Sequence, residues 1–427
     1  MHQPVRIVVV GMGARATIYA QEALVHPDLF QIVGVVDVNP ARVRAAQEKF
    51  QIPAKHCFSS VDDFLAAPRF ADAIINGTMD LQHVSTTIPL LQNNYDVLLE
   101  KPFAVNRQEA AELFACAEAT GKRVMVCHVL RYAPFYRRIR EVIAAGTIGA
   151  VLNIQMSEQI SFFHESVSYV RGKYALPEVC GSGMLLSKCS HDLDIMAWLM
   201  LGNRPRTVSS VGSLFQFQPS MAPKGAGTFC LTNCPIEREC VYSARRLYLE
   251  NPQRWVNNVW HDSGCEQPSD AEKIQLLRDT SNPFGRCVYR CNLQIVDHQS
   301  LLIGFEDGAT GTFSVNGGAA ASARSLHITG TRGEISGTFE EACFSVSVIA
   351  PQEAGGKTVR TIDVSREQQN NAHGCGDQAI VKDFIALLTG KALSPCCTTL
   401  ADSMVGHQLA FLAEASRLQN GKMIPYD

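Results

Sequence analysis

The stretch Val5-Arg6-Ile7-Val8-Val9-Val10-Gly11-Met12-Gly13-Ala14-Arg15-Ala16 decides how the amino-terminal part of the chain is read. Its first six residues are apolar and β-branched except for Arg6, the composition of a strand buried on both faces of a parallel sheet. The pattern then switches to Gly-x-Gly-x-x-Ala and helical spacing through Ala23. Strand, tight turn and helix form the context in which that motif has physical meaning. Gly11 permits the turn, Gly13 lets backbone amides approach a pyrophosphate, and Ala16 keeps the helix close to the sheet. Met12, Ala14 and Arg15 complete this candidate dinucleotide loop.

Working outward, a second apolar run over 32–36 ends in Asp37, at the spacing expected of an acid that hydrogen-bonds a ribose. Such an acid repels a 2′-phosphate, which favours NAD over NADP. Arg42 blurs the preference, and it reads equally well as an ordinary first-turn helix residue after Pro40. A third strand over 72–76 leads into Asn76-Gly77-Thr78, which places Asn76 and Thr78 at the carboxyl edge of the sheet, and the next helix carries His83 near its start. A fourth run over 97–99 stops at Glu100-Lys101-Pro102. Pro102 biases Lys101 away from helical backbone, so the strand delivers Glu100 and Lys101 to the edge where open α/β sheets bind ligands. The plain alternative is a solvated Glu-Lys-Pro turn. A helix over 107–120, capped by Gly121, and a strand over 123–128 continue the alternation. Strict alternation specifies a doubly wound parallel sheet with right-handed crossovers.

Composition narrows the setting. With 427 residues, 46% hydrophobic content and 19% charge, the chain is long enough for more than one core. A net charge of −3 provides no basic field for nucleic acid or an anionic membrane. The amino terminus lacks the order of a signal peptide and the apolar run at 195–201 is too short to span a bilayer, so a cytoplasmic protein is expected. The 15 cysteines are odd in number and scattered, which favours reduced thiols over a disulfide framework.

Beyond His128 the period changes. Longer alternating strands over 148–156, 300–305, 309–315 and 326–329, with turns at 306–308 and 331–334, predict an α+β domain on a large, mostly antiparallel sheet. The division expected is a dinucleotide-binding domain at 1–127 and a substrate and oligomerisation domain at 128–427. A helix over 186–199 puts Lys188, His191 and Asp194 or Ser187 on one face. His191 has the intrinsic pKa for acid/base work near neutrality. A capping or surface histidine is the alternative.

Gly11-Met12-Gly13, Asp37, Asn76-Gly77-Thr78, Glu100-Lys101-Pro102 and the 128–131 segment together resemble the glucose-fructose oxidoreductase, inositol dehydrogenase and MocA family. The resemblance implies that Glu100, Lys101, His128 and Arg131 stand with the cofactor-binding residues. It also implies that Lys101 orients a substrate hydroxyl and assists proton transfer during hydride exchange with the nicotinamide, and that the chain forms a homodimer or homotetramer through its open sheet face. In the family an acid commonly stands four residues before the histidine. Here that position is Ser187, with Lys188 beside it, so a different hydroxyl clamp is expected.

An insertion at about 219–297 departs from a minimal family member. It holds Cys230, Cys234, Cys240, Cys265, Cys287 and Cys291. Cys230, Cys234, Cys240 and Cys287 are candidates for a structural zinc that would staple an excursion with little core of its own; an iron-sulfur cluster and a set of reduced thiols are the alternatives. His164, Tyr169, Arg171, Tyr289 and His298, with His373 and Asp377, are polar and aromatic groups suited to a sugar or polyol, the arginines also to a carboxylate. Three functions follow: an NAD-dependent dehydrogenase of a secondary hydroxyl; a redox-neutral NAD-dependent glycoside hydrolase, as some relatives are, working by transient C3 oxidation, elimination, water addition and re-reduction; and a non-catalytic dinucleotide sensor.

Overall fold

The structure, a computed structural model, describes residues 3–260, 268–368 and 373–426. The amino-terminal part runs β1 (Val5–Val10), α1 (Ala14–Val25), β2 (Phe30–Val36), α2 (Pro40–Phe50), β3 (Cys57–Phe58), α3 (Val61–Ala66), β4 (Ala73–Asn76), α4 (His83–Gln92), β5 (Asp96–Leu99), α5 (Arg107–Thr120) and β6 (Val124–Val126). Among the described residues these strands form one sheet in the order β3-β2-β1-β4-β5-β6, parallel at every pairing. The order reverses between β1 and β4, so the crevice at their carboxyl ends is the topological switch point. Local signals set the boundaries. Asn106 caps α5 by accepting the amide of Glu109, and Gly121 ends it in the left-handed conformation at φ +65°.

After α6 (Pro134–Ala144) the second part is built on β7 (Val151–Ser161), α7 (Met184–Leu199), β8 (Pro205–Ser213), α8 (Asp270–Arg278), β9 (His298–Phe305), β10 (Thr310–Ala319), β11 (Ala323–Gly330), β12 (Gly333–Thr338), β13 (Cys343–Ile349) and β14 (Lys357–Asp363). The chain closes with α9 (Gly376–Leu388), α10 (Leu400–Leu418) and β15 (Ile424–Pro425). The sheet order is β14-β13-β12-β11-β7-β10-β9-β8-β15, antiparallel except for β7 with β10. The last helices return to the first sheet: α9 packs on α1, and the amide of Val126 donates to the carbonyl of Thr398 just before α10.

The insertion between β8 and β9 is not short of core. Phe217, Tyr242, Leu247, Tyr248, Val259, Trp260, Leu277 and Val288 bury one another against Phe163, Val167 and Val170. That cluster supplies the apolar burial a metal staple was expected to replace. Among the described residues no three His, Cys, Asp or Glu side chains are arranged to hold a metal ion. This corrects the expectation of zinc at Cys230, Cys234, Cys240 and Cys287, which are free thiols, as is Cys291. Cys265 lies outside the described residues. No helix among the described residues is long and apolar enough to cross a membrane.

Candidate functional site

A cleft of about 1500 Å³ runs from the switch point of the first sheet, over α7, to the insertion. Its first wall is the glycine loop. Gly11 has φ +78°, and a Cβ there would lie 2.6 Å from the backbone nitrogen of Thr78, so only glycine is accommodated. A Cβ on Gly77 would lie 2.7 Å from that of Ala16, so the loops after β1 and β4 lie in contact. Gly13 caps α1 without a side-chain hydrogen bond, which leaves the first amides of that helix for an anion. At the end of β2, Asp37 accepts the Met12 amide at 2.7 Å and the Asn39 amide at 2.8 Å, which fixes its carboxylate at the edge of the cleft. Arg42 approaches Asp37 to 3.9 Å. An uncapped helix start behind a side-chain-free turn, with a preset carboxylate one strand away, fits a dinucleotide. Gly11, Met12, Gly13, Ala14 and Arg15 would hold its pyrophosphate and Asp37 its ribose.

The end of β5 supplies the second wall. Buried Glu100 accepts Arg15 Nε at 3.0 Å and the Tyr19 hydroxyl at 2.6 Å on one oxygen, and the Lys101 amide at 2.8 Å on the other. Burial alone would raise its pKa, but Arg15, Tyr19 and Lys101 outweigh it and hold the carboxyl below its usual range. Arg15 also reaches Asp377 on α9 at 2.5 Å, where His373 stands 3.1 Å from the other carboxylate oxygen. Lys101 lines the cleft and donates from Nζ to the Ser187 carbonyl at 2.7 Å, which places it over the first turn of α7. Burial lowers its pKa, opposed by Asp80 and Glu100. A lysine so depressed is closer to exchanging a proton near neutrality than a solvated one.

On α7, Ser187, Lys188 and His191 face the cleft. Lys188 binds Glu158 on β7 at 2.8 Å, and Arg324 on β11 binds Glu158 at 2.7 Å and Asp192 at 3.0 Å, with Glu340 at 3.8 Å. Within this cluster burial lifts Asp192 to about 6. His191 is buried, its Nδ1 has no hydrogen-bond partner, and burial with Lys101 nearby keeps the ring neutral by pushing its pKa well below normal. His191 lies 5.7 Å from the rings of both His128 and His373, and His128 lies 5.5 Å from His407.

Several expected residues are placed elsewhere. Asp194 does not share the cleft face with Lys188 and His191; it grips Arg131 through two hydrogen bonds of 2.6 and 2.7 Å, and both side chains are buried away from the cleft. The 3.6-residue period carries Asp194, six residues after Lys188, to the opposite flank of the face. His128 is buried behind His191. Asn76 is turned inward: its amide nitrogen donates to Thr86 and Thr87 and its oxygen accepts from the Thr78 amide and hydroxyl, so it shapes the loop that presents Thr78. His83 lines the cleft as expected and ties α4 to the Pro102 and Thr78 carbonyls at 2.7 and 3.1 Å. Tyr289 packs edge-on against Tyr242 inside the insertion, and His298 pairs with Asp297 at 2.8 Å beside β8; neither lines the cleft. Arg171 reaches the cleft wall, but its guanidinium is committed to the Arg286 and Tyr242 carbonyls and the Ser166 and Tyr248 hydroxyls. His164 and Tyr169 line the cleft.

Sequence reasoning missed Asp80, Glu158, Arg324, Arg254 and Trp255, all of which line the cleft. Glu158 left a signal: it occupies a buried register position of β7 between Met156 and Ile160, a charge on an apolar face. Arg324 and Trp255 left none, because Glu158 and His164, which they contact in the cleft wall, lie far away in sequence.

Residues 5–128 match the profile of the oxidoreductase family with an NAD-binding Rossmann fold, and residues 136–231 match the carboxyl-terminal domain of the same family. YteT of Bacillus subtilis, named as an oxidoreductase, is 26% identical over 372 residues, 83% of this chain and 82% of that one. Inositol 2-dehydrogenase of Salmonella typhimurium is 26% identical over 171 residues, 40% of this chain and 47% of its own. The solved complex of levoglucosan dehydrogenase with NADH and levoglucosan superposes with a TM-score of 0.71 at 16% identity, over 99% of this chain and all of that one. The chain belongs to the glucose-fructose oxidoreductase, inositol dehydrogenase and MocA family of NAD-binding oxidoreductases.

Proposed function

We propose that the protein is an NAD-dependent dehydrogenase that oxidises a secondary hydroxyl of a sugar, polyol or sugar derivative. The observation that carries this reading is the position of Lys101. Its half-buried ammonium is tethered 2.7 Å from the Ser187 carbonyl, in the same cleft as the Asp37 carboxylate and the glycine loop, with His191 close enough to feel its charge. Bound nicotinamide supplies the hydride acceptor. Lys101 orients the substrate hydroxyl and, in its neutral amine form, takes its proton, and neutral His191 offers a second acceptor. Glu100 holds Lys101 by its backbone amide and keeps Arg15 at the loop. Ser187 gives its carbonyl to Lys101. The relatives named for inositol and levoglucosan support a polyhydroxylated substrate.

The test is a panel of sugars, polyols and glycosides with purified protein and NAD, read by NADH absorbance and by free aglycone. NADH formation that is lost in Lys101→Ala is expected. Undiminished turnover in that variant would remove Lys101 from the chemistry, and aglycone release without net NADH would favour the hydrolytic cycle. Pairing of the outer face of the large sheet with a second copy belongs to the same reading and is checked by light scattering.

A further inference from the structure

Lys188 and Arg324 stand on the two oxygens of one carboxylate. Lys188 Nζ lies 2.8 Å from Glu158 Oε1 and Arg324 Nε lies 2.7 Å from Glu158 Oε2, so two cations brought from α7 and β11 are within reach of one small group. Glu158 is buried behind them and holds both in place. The single hydrogen on Arg324 Nε goes to Asp192 Oδ1 at 3.0 Å. Its four terminal N–H donors make no hydrogen bond among the described residues, and Glu340 approaches Nη1 only to 3.8 Å. Lys188 likewise has one carboxylate for three donors. Both side chains line the cleft, with 13% and 11% of their surface left open.

The pair lies beside the reacting centre. Ser187, the residue before Lys188, takes the Lys101 ammonium on its carbonyl, and His191 follows Lys188 by about one turn of α7. The charge of Lys188 acts on Lys101, and that of Arg324 acts on His191. Free donors in this position suit oxygen acceptors on the substrate that Lys101 handles. Charge balance decides which kind of oxygen. Glu158, Asp192 and Glu340 set three carboxylates around the two cations, so an anionic group finds no excess of positive charge, and Glu340 lines the cleft as well. A hydroxyl needs no such excess, because it accepts an N–H without a counter-charge. A site built on such donors rejects an analogue that lacks the hydroxyl, since the donors are then left unpaired.

We infer that Lys188 and Arg324, set from behind by Glu158, are specificity-determining residues that grip two neighbouring hydroxyls of an uncharged sugar or polyol beside the hydroxyl to be oxidised. Their role rests on the dehydrogenase reading for the place of the reacting hydroxyl, but binding tests it apart from turnover. Calorimetry on NADH-loaded protein ranks glucose, galactose, mannose and myo-inositol, then compares the tightest binder with its monodeoxy derivatives and with glucuronate and galacturonate. Loss of either of two adjacent hydroxyls is expected to weaken binding about tenfold, the range for a hydrogen bond to a charged donor, and the uronates should bind no more tightly than the neutral sugar. Lys188→Met should weaken the sugar by a similar factor and abolish one of the two deoxy penalties, with NADH affinity, read by its fluorescence, unchanged. Arg324→Lys, which keeps the charge and loses the planar fork, should reduce the other penalty. Deoxy penalties that persist in Lys188→Met, tighter binding of the uronates, no binding of any sugar, or a parallel fall in NADH affinity would overturn the assignment. The expected binding pattern without NADH formation would remove the dehydrogenase reading and keep the clamp. NADH formation that depends on Lys101 without that pattern would do the reverse.

Discussion

The two ends of the cleft handle charge in opposite ways. At the cofactor end each ion is matched inside the fold: Glu100 by Arg15 and the Lys101 amide, Asp377 by Arg15 and His373, and Asp37 by two backbone amides. At the insertion end Arg254 and Arg286 rest on Trp255 and Phe229 and form no ion pair among the described residues. A matched ion stiffens its surroundings, and removing one partner strands the other in a low-dielectric site. An unmatched ion on a ring costs the fold little and is available to a ligand. Substitutions at the first end should therefore disturb chemistry or cofactor binding, and those at the second should disturb ligand choice.

The largest effect is expected at Lys101. Lys101→Ala should lower kcat/KM by about 10²- to 10⁴-fold, the range for loss of a positioned proton-transfer group. NAD affinity should hold, because Glu100 keeps its contacts to Arg15 and to a backbone amide. If fluorescence titration finds cofactor affinity falling in parallel, Lys101 belongs to the cofactor cradle and the contrast between the two ends blurs.

Next comes the buried centre of the insertion. Arg171→Met removes donors to two carbonyls and two hydroxyls in an otherwise apolar cluster. Four hydrogen bonds to a charged donor at about 1.5–3 kcal/mol each bound the loss at about 6–12 kcal/mol, and relief of the buried guanidinium charge offsets part of it, so roughly 3 kcal/mol or more of stability should be lost, read from urea midpoints. Proteolysis should then begin within the insertion while NAD binding persists. A smaller change would mean that the apolar cluster holds the lobe without its central ion.

At the cofactor end, Asp37→Ala should weaken NAD binding by about tenfold, or 1.4 kcal/mol, and narrow its advantage over NADP. Arg42, 3.9 Å from Asp37, would then be free to meet a 2′-phosphate. Unchanged NAD affinity would show that the glycine loop alone carries recognition.

How much of this was readable from residues follows the same divide. The first sheet, the bounds of α5 and the edge positions of Asp37 and Lys101 are announced locally, by runs of β-branched residues, by Asn106 and Gly121 at the ends of one helix, and by Pro102 after a lysine. The site's partners are not local. Arg15 meets Asp377 across 362 residues and Arg324 meets Asp192 across 132, and no period or motif encodes such pairings. Asp194 misled because a shared helix face was assumed to extend over two turns; Arg131, 63 residues upstream, claims it instead. The cysteines misled because their spacing suggested ligands, whereas the aromatic residues between them supply the lobe's own core.

The smallest expected effect is a pH shift that tests how finely Lys101 is tuned. As a proton acceptor Lys101 must be neutral, so oxidation should rise with pH until its ammonium is lost, below the 10.5 of an ordinary lysine because burial disfavours the charge. Asp80, buried nearby, works against that by stabilising the ammonium. Asp80→Asn removes the opposing charge, which lowers the Lys101 pKa and moves the acid side of the rate profile to lower pH. At neutral pH the oxidation rate should increase, by roughly a few-fold, with the high-pH plateau unchanged. The profile of Lys101→Arg, whose guanidinium does not deprotonate, should lose that acid-side rise altogether. A shift of the Asp80→Asn profile to higher pH would mean that the carboxylate governs His191 or the cofactor instead, and the cofactor end would no longer be the place where matched charges set the chemistry.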